Sequence, residues 1–255
     1  MDLDIGWVEA GASLVLVVVA GVLSALLRLG LTRQLVIASV RAAVQLLAVG
    51  LLFGFITQSG RSMILAWLWV GVMVLVTSMV ARRRAPELPG GGGLAGASVA
   101  VTVAICLLVI FGLGVLDFEP VNVIVIAGIT IANAMPSQVL GATRLVDEIR
   151  QNRGQLEAML ALGFSAAQVV RFGGGRIVRT AMIPQIEKTN VVGLIALPGA
   201  LTGLLLAGAE PVDAVLVQLI VMYLVLGAVS VSVIVTVVGG LYRLLTPDRR
   251  LLPID

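Results

Sequence analysis

The chain has 255 residues, of which 59% are apolar and only 12% are charged, and its mean hydropathy is +1.11. This composition is far from that of a soluble domain and is typical of a polytopic membrane protein. The apolar runs are continuous rather than alternating, which excludes a transmembrane β-barrel and predicts an all-α fold in lipid. Because the chain has one cysteine and no histidine, a Cys/His metal site and a Cys/His catalytic pair are excluded as well.

Seven apolar runs are long enough to cross a bilayer, whose core requires about 20 predominantly apolar residues per helix. We predict that these seven transmembrane helices form one domain over residues 1–255. The runs lie near 10–29, 34–56, 63–81, 94–116, 121–143, 190–209 and 214–242. Lys and Arg are retained on the cytoplasmic side during insertion, and nearly all of them fall there if the N-terminus is outside. We therefore expect a cytosolic C-terminus, in a multi-pass protein of the cell inner (plasma) membrane.

The second predicted span carries Arg41, and Gln45 lies one turn further along the same helical face. An arginine deep in a membrane helix costs roughly 2.5–3.5 kcal/mol on insertion scales unless it is paired or hydrated. One interpretation is that the two residues line a buried cavity in a transport pathway. The other is that Arg41 lies near enough to the cytosolic end for its long side chain to reach the interface.

In the fifth predicted span, Asn133, Ser137 and Gln138 lie close to Pro136. A proline inside a helix removes one backbone hydrogen bond and so frees a carbonyl oxygen. Oxygens of this kind could coordinate a passing cation. Alternatively, the helix is merely kinked and its amide side chains bond to neighbouring helices.

Residues 144–188, between the fifth and sixth spans, form a charged segment that holds 11 of the 31 charged residues of the chain. Apolar residues at helical spacing predict an amphipathic helix over about 147–162. Gly163 then acts as a helix stop, and Ser165 with Gln168 has the form of a capping box that opens a second helix. We expect the triple glycine 173–175 to interrupt this second helix before Pro184 leads back to the membrane. The sequence therefore predicts a cytosolic helical hairpin.

The sixth predicted span begins beside Glu187, which stands at its cytosolic mouth, and carries a proline followed by a stripe of small residues. Pro198 is expected to kink the helix, and Gly199, Gly203 and Ala207 repeat at four-residue spacing. Such a stripe is typical of helix packing or dimerisation, and pore lining is the alternative interpretation.

The turn of the hairpin resembles the EAA loop of ABC-transporter permeases, with Met159 in place of the second alanine of the motif. In that family the loop is a short coupling helix that is seated in a groove of the cytosolic ATPase. The resemblance implies that the same role belongs to six residues of this chain. They are Glu157, Ala158, Leu162, Gly163, Phe164 and Ser165.

The whole chain is similar to the FetB (YbbM) family of metal-export permeases, whose plant relatives are linked to aluminium tolerance. Four stretches carry this resemblance: Arg41 to Gln45, Ala132 to Met135, Ile183-Pro184, and Val192 to Gln218. One departure is clear, since Asn190-Val191 stands where the family has Lys-Thr. The role of that lysine is in doubt here or has moved to Lys188.

The resemblance implies a permease subunit that exports iron or another metal as a homodimer in the lipid bilayer, with two separate ABC ATPase chains. The chain has no GxxxxGK phosphate loop, so ATP and Mg are expected on the ATPase. We expect this chain itself to bind no cofactor and no nucleic acid and to catalyse no reaction. The metal ligands are unknown. Candidates for the transport pathway are Arg41, Gln45, Asn133, Gln138, Glu187, Pro198 and Gly199.

Three questions stay open at this level. Hard cations prefer carboxylate oxygens, yet no Asp or Glu lies inside a predicted span, so a chelated metal or an organic solute is an alternative cargo. A transporter driven by an ion gradient is a second alternative, although it usually needs titratable residues near the membrane midplane. A membrane scaffold that binds a cytosolic partner through residues 144–188 is the third.

Overall fold

The computed structural model describes residues 11–12, 14–58, 62–84, 86, 88, 90–246 and 250–252. Its regular structure in these residues is helical, which confirms the predicted all-α class. The named helices are α1 (Leu14–Leu26), α2 (Thr32–Gln58), α3 (Ser62–Arg84), α4 (Gly91–Gly112), α5 (Pro120–Ala161), α6 (Ala166–Asn190), α7 (Gly199–Leu206) and α8 (Pro211–Leu244). In the described part of the chain, five of them, α2 to α5 and α8, are long and apolar enough to cross a membrane.

The first and sixth predicted spans differ most from the helices observed. The described part of the first span forms the short helix α1, and residue 10, where that span was predicted to begin, lies outside the described residues, as do residues 1–9 before it. The sixth run, 190–209, is not one helix: α6 ends at Asn190, turns follow, and only the eight residues of α7 are helical. Gly193 has a φ of +87° there, and Pro198 has no N–H to donate to a preceding turn.

The predicted fifth span and the first half of the hairpin form a single helix. Helix α5 continues for 42 residues from Pro120 to Ala161, with Pro136 inside it. Its backbone leaves helical geometry at Asn152, where φ is −117° and ψ is 19°. The first half of the hairpin is therefore joined to a membrane-length helix through a kink at Asn152.

The triple glycine 173–175 does not interrupt α6, and the prediction of a break there is wrong. Gly173 and Gly174 are buried inside a continuous helix. A Cβ at Gly174 would lie 3.2 Å from Leu241 Cδ1, so the missing side chain lets α6 approach α8 closely. Gly173 and Gly174 serve helix packing, which here outweighs their low intrinsic helix propensity.

The chain divides into two compact units. The first contains residues up to Ser62 together with Leu206–Gly208. Within it, the Thr32 hydroxyl at the start of α2 donates to the Gly21 carbonyl of α1 at 3.1 Å, and the Ser24 hydroxyl accepts from Leu31 N–H at 3.0 Å. These bonds fix the short connection between the two helices.

The second unit contains Met63–Leu205 and Ala209–Asp255, and its core is formed by α4, α5, α6 and α8. A polar seam crosses this core. The Ser98 hydroxyl of α4 donates to the Ser232 carbonyl of α8 at 2.9 Å and bonds to the Thr236 hydroxyl at 3.0 Å. These three residues are buried, so their mutual hydrogen bonds satisfy groups that neither lipid nor water reaches.

Candidate transport and coupling site

The base of the hairpin is held by apolar packing of α5 and α6 against α8. Six buried residues of the two hairpin helices share one core with Leu241 and Leu244. They are Ile149, Leu156, Leu160, Val169, Val170 and Ile177. The first three follow the helical spacing predicted from the sequence, and Met159 packs at the edge of the same core. The predicted amphipathic face is therefore confirmed.

The turn between the two helices is closed by local hydrogen bonds. Gly163 has a φ of +91°, its N–H donates to Leu160 O at 3.1 Å, and Phe164 N–H donates to Met159 O at 3.1 Å. This is the pattern of a glycine C-cap. The Ser165 hydroxyl accepts from Gln168 N–H at 3.4 Å, and the Gln168 side chain accepts from Ser165 N–H at 2.8 Å. Both predicted caps are present, and together they make the turn rigid.

The six predicted coupling residues lie together at this turn and leave it apolar and exposed. Leu162 is 78% exposed and Phe164 is 40% exposed. Ala158 is exposed one turn before Leu162. Glu157 forms an ion pair with Arg153, with 2.9 Å between Arg153 Nε and Glu157 Oε1. The turn therefore presents a compact apolar surface beside a charged pair.

Arg153 also fixes the C-terminal segment to the hairpin, which the sequence did not predict. Its Nη2 and Nη1 atoms donate to the carbonyls of Leu251 at 2.9 Å and Leu252 at 3.3 Å. Leu251 is buried in the same core as Leu156. Since the partners are about a hundred positions apart in the chain, only the fold brings them together. The guanidinium thus links the end of the chain to the base of the turn.

A small polar cleft runs along the side of the hairpin nearer the membrane. Its volume is about 230 Å³, and its lining includes Arg144, Asp147 and Thr180. Arg176 Nη2 lies 3.0 Å from Glu148 Oε1, and Asn152 Nδ2 donates to the same carboxylate oxygen at 3.0 Å. These contacts join α5 to α6 outside the apolar core. The cleft is thus lined by residues that already bind one another.

The predicted pathway residues of α5 face different neighbours. Gln138 is 1% exposed, and its Nε2 donates to the Ala95 carbonyl of α4 at 3.0 Å. Its Oε1 has no hydrogen-bond partner among the described residues. Asn133 faces α6 instead, where its Oδ1 accepts from Lys188 Nζ at 3.2 Å. The structure therefore places these two amides on different helix interfaces.

The other pathway candidates lie on α2, at the end of α6 and at the start of α7. Arg41 and Gln45 are exposed on α2, in the first unit. Glu187 is exposed in the last turn of α6, and Pro198 and Gly199 lie where α7 begins. Among the described residues there is no group of three or more His, Cys, Asp or Glu side chains that could hold a metal ion. The ligands of a transported metal thus stay unassigned.

Comparison with known proteins shows which family shares this sequence. Residues 7–245 match the model of UPF0014, which is described as an uncharacterised protein family. "UPF0014 membrane protein STAR2" of Oryza sativa subsp. japonica is 34% identical over 234 residues, which cover 91% of this chain and 81% of the relative. "Protein ALUMINUM SENSITIVE 3" of Arabidopsis thaliana is 34% identical over 229 residues, covering 89% and 83%.

A bacterial relative extends this comparison. "Probable iron export permease protein FetB" of Escherichia coli (strain K12) is 30% identical over 223 residues, which cover 88% of this chain and 86% of the relative. No solved structure matches the chain. The family match and the apolar helices identify a multi-pass protein of the cell inner (plasma) membrane. The predicted resemblance is confirmed, and the chain belongs to the UPF0014 family of membrane proteins.

Proposed function

We propose that this protein is the transmembrane permease subunit of an ABC transporter that exports iron or another metal from the cytoplasm. In this proposal the permease is a homodimer, and a separate cytosolic ATPase binds ATP and Mg and supplies the energy. The cargo is suggested by the relative named as a probable iron export permease. The observation that carries the coupling role is the rigid, exposed apolar turn at Leu162 and Phe164.

The mechanism follows from the continuity of α5. The turn would sit in a groove of the ATPase. Burial of the Leu162 side chain there is favourable, because moving a leucine side chain from water to an apolar site contributes about 1.5–3 kcal/mol. The two caps prevent the turn from deforming when the ATPase moves. Since the turn is joined to the membrane segment through α5, with a kink at Asn152, movement of the turn would shift that segment and change access to the pathway.

The experiment is co-purification of the tagged permease with candidate ABC ATPases from the same organism, followed by assay of metal-stimulated ATP hydrolysis in liposomes. Leu162→Glu is expected to reduce the ATPase recovered by at least about tenfold, because it places a charge in an apolar contact. Tyr242→Glu is the matched control. It also replaces an exposed large side chain, which is 46% exposed, near the end of α8.

The outcomes separate the transporter from its alternatives. If the unaltered permease recovers no ATPase, the ABC proposal is wrong. If ATPase binds but neither hydrolysis nor metal export depends on the permease, the hairpin is a scaffold. Equal loss of ATPase in the Leu162 and Tyr242 variants would show that the turn has no special role.

A further inference from the structure

Lys188 is the sole lysine of the chain, and it lies at the end of α6 against the middle of α5. Its Nζ donates to Asn133 Oδ1 at 3.2 Å. Asn133 is itself oriented by a bond from its Nδ2 to the Ile129 carbonyl at 2.9 Å. The lysine side chain is nonetheless exposed on the surface of the second unit.

The position of Asn133 sets the depth of this ammonium group. Residues 120–143 contain no charged side chain, and Arg144 is the first charge that follows. Asn133 lies near the middle of this segment, about 16 Å along the helix axis from Arg144 at 1.5 Å per residue. Since α5 is long and apolar enough to cross a bilayer core of about 30 Å, we expect the Lys188 ammonium at the level of the membrane interior.

Other contacts between α5 and α6 agree with the alignment of the two helices that the Lys188–Asn133 contact indicates. Arg176 binds Glu148 at 3.0 Å, and a Cβ at Gly141 would lie 3.6 Å from Ala181 Cβ. Moving along α6 toward its end therefore means moving back along α5 toward Pro120. The contact at Lys188 continues this antiparallel alignment.

The chain leaves helical geometry directly after Lys188. Helix α6 ends at Asn190, and a compact turn follows in which Gly193 N–H donates to Ala196 O at 2.9 Å. Transporters commonly place substrate sites beside such interrupted helices. A charged side chain at the same point is therefore well placed to contact cargo.

The positive charge of Lys188 determines which charge the cargo must carry to bind at this position. No ion pair with Lys188 is recorded in the part of the chain that the structure describes. Glu187 is the next residue on the helix, and adjacent residues do not face each other. An ammonium group carries three N–H donors, of which Asn133 accepts one. Such a group repels a bare metal cation and binds carboxylate oxygens through charge-assisted hydrogen bonds.

We propose that Lys188 and Asn133 form a cargo subsite that takes the metal as an anionic, oxygen-rich complex, such as a polycarboxylate chelate, rather than as a bare cation. The inference rests on the proposed metal-export function and names its substrate class. Lys188 binds an outer carboxylate of the complex, and Asn133 holds the ammonium in position. The metal keeps its own ligands during passage, so the protein supplies no inner coordination.

The test is equilibrium binding to the full chain in lipid nanodiscs, without ATPase. The probes are radiolabelled iron supplied as ferric citrate, the same isotope as ferrous iron under ascorbate, and labelled citrate alone. Lys188→Gln is expected to weaken ferric citrate binding by about tenfold or more, the effect of losing a charged hydrogen bond. Lys188→Arg should retain most of the binding. Arg179→Gln, which removes an exposed charge from the same helix, is the matched control.

Three results would overturn the subsite. The first is that the unaltered chain and Lys188→Gln bind ferric citrate equally well. The second is that ferrous iron binds as tightly as ferric citrate or more tightly. The third is that citrate alone binds as tightly as its iron complex. The proposed function fails separately. Recovery of ATPase-dependent iron export with no effect of Lys188 rejects only the subsite. Lys188-dependent binding by a permease that co-purifies with no ATPase rejects only the ABC transporter.

Discussion

Two leucines six positions apart, one in the last turns of α5 and one directly after its end, have opposite environments. Leu156 is 1% exposed in the core shared by α5, α6 and α8, whereas Leu162 is 78% exposed at the turn. Helix α8 ends at Leu244, and Arg153 draws the C-terminal segment over the base of the hairpin. In the described part of the chain, the side chain of Leu162 is left largely exposed. The base of the hairpin is therefore packed within the chain, whereas its turn is the part that we propose contacts a partner.

This difference separates folding from function within one short segment. At the base, burial of apolar area supplies the favourable free energy, and the loss of any large side chain leaves a cavity. At the turn, the hydrogen bonds of the two helix caps fix the backbone, so the fold does not depend on packing of the apolar side chains. Substitutions in the two parts should therefore affect different measurements.

The largest effect is expected at the base. Leu156→Ala should lower the free energy of unfolding by about 2–5 kcal/mol, because the fully buried leucine leaves a cavity between the helices. Thermal unfolding of the full chain in detergent micelles, compared with the unaltered protein, measures the loss. A change below about 1 kcal/mol, within the range of ordinary surface substitutions, would show that the hairpin base is not a packed core.

An intermediate effect is expected at the C-cap. Gly163→Val should cost about 1–2 kcal/mol, because a branched residue is strained at a positive φ. ATPase coupling should fall more than this loss of stability explains, since the direction of the turn changes. Gly175→Val is the matched control: Gly175 is exposed, and a Cβ there has no neighbour within 4 Å. Equal effects of the two substitutions on ATP hydrolysis would contradict a specific role for the turn.

Local signals were sufficient to predict the hairpin. The Ser165 and Gln168 capping box and the Gly163 stop are formed by residues within a few positions of one another, so their sequence pattern determines their geometry. The long membrane helices were also predictable, because their apolar runs are continuous. The prediction that failed depends on a distant partner. The glycines 173–175 look like a break until Leu241 of α8 is known to lie against Gly174.

The candidate site was less predictable for the same reason. Hydropathy treats residues 190–209 as one span because Leu194 and Ile195 are apolar, although both lie in a turn. Gly193 and Pro198 are the local signals that could have indicated this interruption. No local pattern reveals that Lys188 meets Asn133, 55 positions away. Its assignment to the cytosolic hairpin was reasonable by charge, but the contact places it beside the middle of a membrane-length helix.

The smallest effect on stability is expected at the turn. It tests the difference between the buried base of the hairpin and its exposed turn most directly. Leu162→Ala removes the same atoms as Leu156→Ala, but should change the free energy of unfolding by no more than about 0.5 kcal/mol, as at other exposed sites. Recovery of the ATPase should nevertheless fall, since the apolar contact is lost. Thermal unfolding and co-purification of one preparation measure both quantities. A large loss of stability would mean that the turn packs within the permease itself, and unchanged ATPase recovery would mean that the exposed leucine is not the contact.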